Sequence, residues 1–253
     1  MRPRLIPVLL LDSSRRLVKT VRFGKRTYVG DPLNVIRLFN EKEVDEIFVL
    51  DIDATSDRRT PDLGFLRELA SECFMPLAYG GGITSLEQCE QISRAGIEKI
   101  VLGTSSENKG FVSDVSKNMG SQSVVACVDV FGSGVSARCF TRSGKSPINI
   151  DLIRHCVELQ EAGAGEIVLQ SIDRDGTRSG YNVELIRMLA SQLAVPLVAL
   201  GGAGEATHLV EALKVGASAA ASGSAFIFVG RLRAVLINSP DPAAIEMLIR
   251  GGS

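Results

Sequence analysis

Gly165 to Gly176 reads GEIVLQSIDRDG, an apolar run of strand length opened by an acid and closed by a turn of carboxylates and glycine. The run does not alternate, and a nearly continuous apolar strand suits a parallel sheet covered on both faces. Its polar ends therefore lie at opposite ends of a buried strand. Similar runs recur near residues 4–11, 46–52, 75–79, 98–103, 123–129, 195–200 and 217–222. Segments of helical periodicity separate them, among them Asp31 to Glu43, Leu86 to Arg94, Asp151 to Ala162 and Val183 to Leu189. Eight strands alternating with eight helices is the pattern of an α/β fold of the (β/α)8 TIM-barrel kind, with a doubly wound open sheet as the competing arrangement. No linker or low-complexity segment interrupts the series, so one domain over residues 1–253 is expected.

An internal repeat supports the barrel. Setting Pro76 over Pro196 aligns, without a gap, Gly81 and Gly82 over Gly201 and Gly202, Gly96 over Gly216, Gly103 over Gly223 and Thr104 over Ser224. The chain reads as two half-barrels of about 120 residues each. Glycine pairs after one strand and a Gly-Thr or Gly-Ser after the next offer bare backbone N–H groups and a hydroxyl to an anion at the C-terminal mouth. The alternative is that these glycines only make tight turns.

Composition narrows the function. Apolar residues at 45% allow a large core, and a net charge of −1 argues against a general nucleic-acid surface. Five cysteines (Cys73, Cys89, Cys127, Cys139 and Cys156) fall in no metal-binding spacing and read as reduced thiols. Neither metal nor cofactor is expected. The two histidines, His155 and His208, lie in polar helical patterns and read as surface residues. No apolar run reaches bilayer length and the N-terminus enters a strand pattern directly, so a cytoplasmic protein without a membrane or nucleic-acid partner is expected.

The segments NEKEVDEIFVLDIDATSD (40–57), PLAYGGGI (76–83), GAGEIVLQSIDRDGTRSGY (163–181) and PLVALGGAG (196–204) closely resemble HisF, the cyclase subunit of imidazole glycerol phosphate synthase. The resemblance covers essentially the whole chain. It implies a half-barrel duplication binding an elongated small molecule with a phosphate at each end. It also implies a glutaminase partner, HisH-like, docked at the N-terminal face and supplying ammonia. One phosphate would lie on Gly81, Gly82 and Thr104, the other on Asp175, Gly176, Gly202, Gly223 and Ser224. Gly103 stands where the family has Asn.

By the same resemblance Arg4, Glu46, Lys99 and Glu166, each at a strand start, match the four charges that gate ammonia passage. Two cations and two anions sum to zero, so such a ring tolerates burial. Neutral ammonia can cross an apolar core, whereas ammonium meets a heavy desolvation penalty. The bland alternative is an ion-pair plug closing the barrel's base. Glu46, Glu98 and Lys99 are the expected interface residues.

At the catalytic end the match breaks. Family cyclisation uses two aspartates as general acid and base, one on the first strand and one on the fifth. The second is Asp129; at the first position stands Leu10. Asp12 shares Leu10's face about 6 to 7 Å further along, at or above the rim. Asp12 is the candidate replacement and Asp53 a second added acid; the bland reading makes both solvated loop carboxylates. The stretch from Asp12 to Gly30 is too long for an ordinary βα connection and reads as a lid carrying Lys19, the match to the family's mobile-loop lysine.

Two classes of function follow. One is a cyclase: ammonia attacks a bisphosphorylated aminoimidazole carboxamide ribonucleotide to give imidazole glycerol phosphate and a carboxamide nucleotide. The other is a relay resembling HisF paralogues found with polysaccharide genes, handing ammonia to a third protein, an amidotransferase that builds an acetamidino sugar. A HisA-type isomerase is a distant third, since it too needs the first-strand carboxylate.

Overall fold

The computed structural model of the chain describes residues 4–229 and 234–249; the expected domain bounds at residues 1 and 253 lie outside them. Eight parallel strands form the barrel: β1 (Arg4–Leu11), β2 (Ile47–Asp51), β3 (Leu77–Gly80), β4 (Lys99–Leu102), β5 (Val124–Phe131), β6 (Glu166–Ser171), β7 (Leu197–Leu200) and β8 (Ala219–Ser222). Each pairs with its neighbours in order, and β8 returns to β1 with Arg4 opposite Ala219, closing the ring. The open-sheet alternative is thereby excluded. Among the described residues no helix is long and apolar enough to cross a membrane.

Alternation along the strands builds two cores. Ile6 and Val8 of β1 point inward with Phe48, Ala78, Val101, Val125, Val168, Val198, Ala219 and Ala221, filling the barrel axis. Leu5, Leu9 and Leu11 point outward, where they pack with Ile36 and Phe39 of α1 (Pro32–Glu41) and the other helices. The remaining helices are α2 (Leu63–Glu72), α3 (Leu86–Arg94), α4 (Lys109–Met119), α5 (Leu152–Glu161), α6 (Val183–Ala190), α7 (Ala206–Lys214) and α8 (Pro242–Ile249). Among the described residues, six of the eight helices start on a capping side chain, Asp31, Asp62, Ser85, Asn108, Asp151 or Asn182, which accepts a first-turn backbone N–H. Such caps set where each βα loop ends.

Two loops differ from expectation. The stretch after β1 is a hairpin, Leu17–Thr20 against Arg26–Gly30, and it extends the barrel sheet by pairing Leu10 with Val18. A second hairpin, Arg138–Thr141 against Ser146–Ile148, follows β5. They stand at the same spacing as the glycine repeat: Arg22, Gly24 and Lys25 in the first tip correspond to Arg142, Gly144 and Lys145 in the second. Both tips hold two consecutive non-glycine residues in the left-handed region, Arg22 and Phe23 in one, Arg142 and Ser143 in the other. Carrying the repeat's offset into the loops would have revealed the second hairpin.

The histidines need correction. His155 is only 5% exposed, because Leu152, His155, Cys156 and Leu159 form the inward stripe of α5. Its Nδ1 lies 3.2 Å from Lys109 Nζ, and burial followed by that neighbouring cation lowers its pKa to about 4. His208 is partly covered, its Nδ1 accepting the Gly204 N–H at 3.2 Å.

Candidate functional site

At the N-terminal end, Arg4, Glu46, Lys99 and Glu166 meet in one closed ring. Arg4 bonds Glu46 at 2.6 Å and also Glu166; Lys99 Nζ lies 2.7 Å from Glu46 and 3.0 Å from Glu166. Both carboxylates are nearly solvent-free, with side chains 3% and 5% exposed. Burial pushes Glu46 above the usual carboxylate range, and Lys99 draws it back down. Glu98, by contrast, is exposed and accepts the Leu77 N–H at 2.8 Å. Its repeat counterpart Ser218 faces the Leu197 N–H at 3.3 Å.

Above the ring and the apolar axis a cavity of about 220 Å³ opens at the C-terminal mouth. Gly81, Gly82, Thr104, Asp175, Gly176, Gly202, Gly223 and Ser224 all line it, as do Leu10, Lys19 and Asp129. So both glycine sets and the fifth-strand aspartate are brought to one space, with Asp129 on β5, half-way round the eight strands from Leu10 on β1. Burial, then the charge of Asp175, raises Asp129 to about pKa 7. Burial likewise lowers Lys19 to about 7, against the pull of Asp175. Lys19 Nζ donates to the Val8 carbonyl at 2.5 Å, and a Cβ added to Gly223 would come within 2.7 Å of that nitrogen. Lys19 is therefore seated inside the cavity beside the second glycine set rather than on an outer loop.

Asp175 anchors the first hairpin. Its Oδ2 accepts the Thr20 hydroxyl at 2.5 Å and the Phe23 N–H at 3.3 Å, and its carbonyl accepts the Arg22 N–H at 2.9 Å. Gly176 has φ of 66° and sits so close to the Thr20 carbonyl that no Cβ fits. Gly176→Ala is expected to destabilise the fold by about 2 kcal/mol, from left-handed strain plus displacement of Thr20. Denaturant unfolding should record that loss, and trypsin should cut faster after Lys25 or Arg26; an unchanged cleavage rate would mean the hairpin does not lean on this glycine.

The two added acids are not solvated, and neither lines the cavity. Asp12 is 6% exposed; its carboxylate accepts the Ser14 and Arg16 backbone N–H groups at 2.9 and 3.0 Å and Arg16 Nε at 2.9 Å. Burial raises its pKa, but the hydrogen bonds from Arg16 and Ser14 outweigh that and hold it below the usual range. Asp53, 8% exposed, takes a two-pronged contact from Arg26 at 2.5 and 2.6 Å and the Ser13 N–H at 3.0 Å. Arg26 outweighs burial there and keeps its carboxyl low. The candidate acid Asp12 is thus an ionised turn brace, not a partner brought to Asp129.

Repeat-related glycine sets lining a cavity at one end of a (β/α)8 barrel, and a buried four-charge ring at the other, place the chain in the class of (β/α)8 barrels built from two half-barrels. The chain belongs to the histidine biosynthesis protein family, matched over residues 4–232, and within it is a HisF-like imidazole glycerol phosphate synthase subunit. A hisF3 chain of Vibrio vulnificus is 43% identical over 251 residues, spanning 96% of this chain and 95% of its own length. A hisF2 chain of Pseudomonas aeruginosa is 44% identical over 251 residues, spanning 97% and 99%. Both are described, provisionally, as imidazole glycerol phosphate synthase subunits. The imidazole glycerol phosphate synthase subunit HisF of Exiguobacterium sibiricum is 38% identical over 224 residues, spanning 88% and 90%.

Proposed function

We propose that this HisF-like barrel takes ammonia from a HisH-like glutaminase docked at its N-terminal face and passes it along the apolar axis to the mouth. The observation that carries the reading is the closed ring of Arg4, Glu46, Lys99 and Glu166 beneath an axis of Ile6, Val8, Phe48 and Val168. Ammonium faces a large desolvation barrier along such an axis, and neutral ammonia a far smaller one. Mixing the chain with a HisH-like glutaminase and following glutamine hydrolysis and complex formation tests it directly. Neither complex nor mutual effect on hydrolysis would defeat the reading.

Beyond the mouth we assign the chain a relay role, with a third protein, an amidotransferase making an acetamidino sugar for surface polysaccharide, as the consumer. Leu10 at the cavity wall and the tied carboxylates Asp12 and Asp53 leave Asp129 without the family's opposing acid. Relatives with numbered copy names, hisF2 and hisF3, match over more of the chain than the HisF of Exiguobacterium sibiricum does. The second reading, a working cyclase in histidine biosynthesis, draws on Asp129 and the two glycine sets at the mouth.

In either reading Asp129 trades stability for chemistry. Its raised pKa means that stability is lost as pH climbs from the ordinary carboxylate value toward about 7, where the buried group ionises. Asp129→Asn is therefore expected to unfold at higher urea concentration than wild type at pH 8 and at the same concentration near pH 4. A midpoint difference independent of pH would remove the buried-carboxylate account.

A further inference from the structure

We propose that Lys145, carried by the second hairpin, is a ligand for the anion end formed by Gly81, Gly82 and Thr104. The inference rests on the phosphate reading of that cavity and adds a residue that the glycine pattern does not contain.

Three cations line the cavity: Lys19, Arg26 and Lys145. Lys19 is held over Gly223 by the Val8 carbonyl, and Arg26 is spent on Asp53. Lys145 is exposed, lines the cavity and enters no ion pair among the described residues, so its charge is free for a ligand. Its hairpin is fixed at the right end of the cavity: the Arg142 N–H donates to Thr104 Oγ1 at 3.0 Å. Because that hydroxyl oxygen accepts from Arg142, its own hydrogen remains available to an anion. Beside it, the Thr141 hydroxyl bonds Glu107 at 2.6 Å and pins the hairpin to the segment that follows Thr104.

The two hairpins also meet. A Cβ on Gly144 would come within 3.0 Å of the Phe23 ring and 3.2 Å of Ile172. Repeat-related tips thus close over the cavity from opposite half-barrels, with Lys19 serving the Gly223 end and Lys145 the Thr104 end. A doubly anionic ligand would meet one lysine at each end. The counterpart of Lys145 in the first tip, Lys25, does not line the cavity, which makes it a natural control.

Backbone amide NMR during titration with inorganic phosphate separates the ends. Wild type is expected to show shifts at Gly82 and Thr104 and, independently, at Gly202 and Ser224. Lys145→Ala should raise the Kd read at Gly82 and Thr104 about tenfold, the effect of one charge-assisted contact, and leave the Kd at Gly202 and Ser224 unchanged. Lys145→Arg should retain binding at both ends, and Lys25→Ala should match wild type. An unchanged Kd at Gly82 in Lys145→Ala overturns the Lys145 assignment while the phosphate reading stands. Equal weakening at both ends overturns it as well, since a general charge effect would then explain the data. No shift at either end in wild type overturns the phosphate reading and Lys145 with it.

Discussion

Leu10→Asp is expected to raise ammonia-driven cyclase turnover of the purified chain by about 10² or more, the usual range for one positioned general acid or base. The assay would contain the bisphosphorylated aminoimidazole carboxamide ribonucleotide and excess ammonium salt at alkaline pH, with no glutaminase present. Wild type should turn over barely or not at all, and adding Asp129→Asn to Leu10→Asp should abolish the gain. The expectation comes from geometry: Leu10 and Asp129 line the same cavity on strands half-way round the barrel from each other. A carboxylate at position 10 would share the partly apolar surroundings that lift Asp129 to about pKa 7, so one of the pair can be protonated while the other is ionised. Vigorous wild-type turnover that disappears in Asp129→Asn would reverse the conclusion. It would mean that another cavity carboxylate, Asp51 or Asp175, already supplies the second group, and that the relay assignment is wrong. Asp12 and Asp53 are poorer substitutes, since Arg16 and Arg26 hold them as tightly bonded anions.

The barrel was legible because apolar strands covered on both faces leave unbroken runs such as EIVLQS, and the helices between them start at side chains made for capping. The two glycine sets were legible through their exact register across the halves, and the four ring charges through their match to the family's gate residues at strand starts. What escaped was the pair of hairpins. Their tips use Arg22-Phe23 and Arg142-Ser143 in left-handed conformations, where the usual signal would be Asn-Gly or Asp-Gly. Without the first hairpin, nothing near Asp53 in sequence indicates that Arg26 reaches it, so a buried, ion-paired carboxylate read as a solvated acid. Without the first hairpin's seat on Asp175, the sequence placed Lys19 on a lid by its match to the family's mobile-loop lysine, and not as a buried amine beside Gly223. His155 was a different kind of miss: the Leu152, His155, Cys156, Leu159 spacing was present, and the stripe outranks the polarity of one member.

Lys99→Ala is expected to lower stability by about 3 kcal/mol at neutral pH and to cut glutamine-driven ammonia transfer at least tenfold while sparing transfer driven by added ammonium. Removing Lys99 leaves Glu46 and Glu166, both nearly solvent-free, to share Arg4 alone. Glu46 already titrates above its ordinary value because of burial, and Lys99 is the main influence drawing it down. Without Lys99 that pKa climbs further, so the deficit relative to wild type should be small below about pH 4.5 and grow as pH rises through the raised value. Urea unfolding at several pH values measures this. Stability alone does not identify a gate, because an ion-pair plug at the base of a barrel would show the same loss. The double variant Lys99→Met with Glu46→Gln separates the two, since it removes one charge of each sign and leaves Arg4 paired with Glu166. It should regain most of the stability, because neutral replacements avoid an uncompensated buried charge. If the closed ring meters ammonia, coupled transfer stays low in this stable double variant, and leaked ammonia appears in the medium. Full recovery of coupling together with stability would reduce the ring to a structural plug and leave the passage of ammonia through this barrel without its gate.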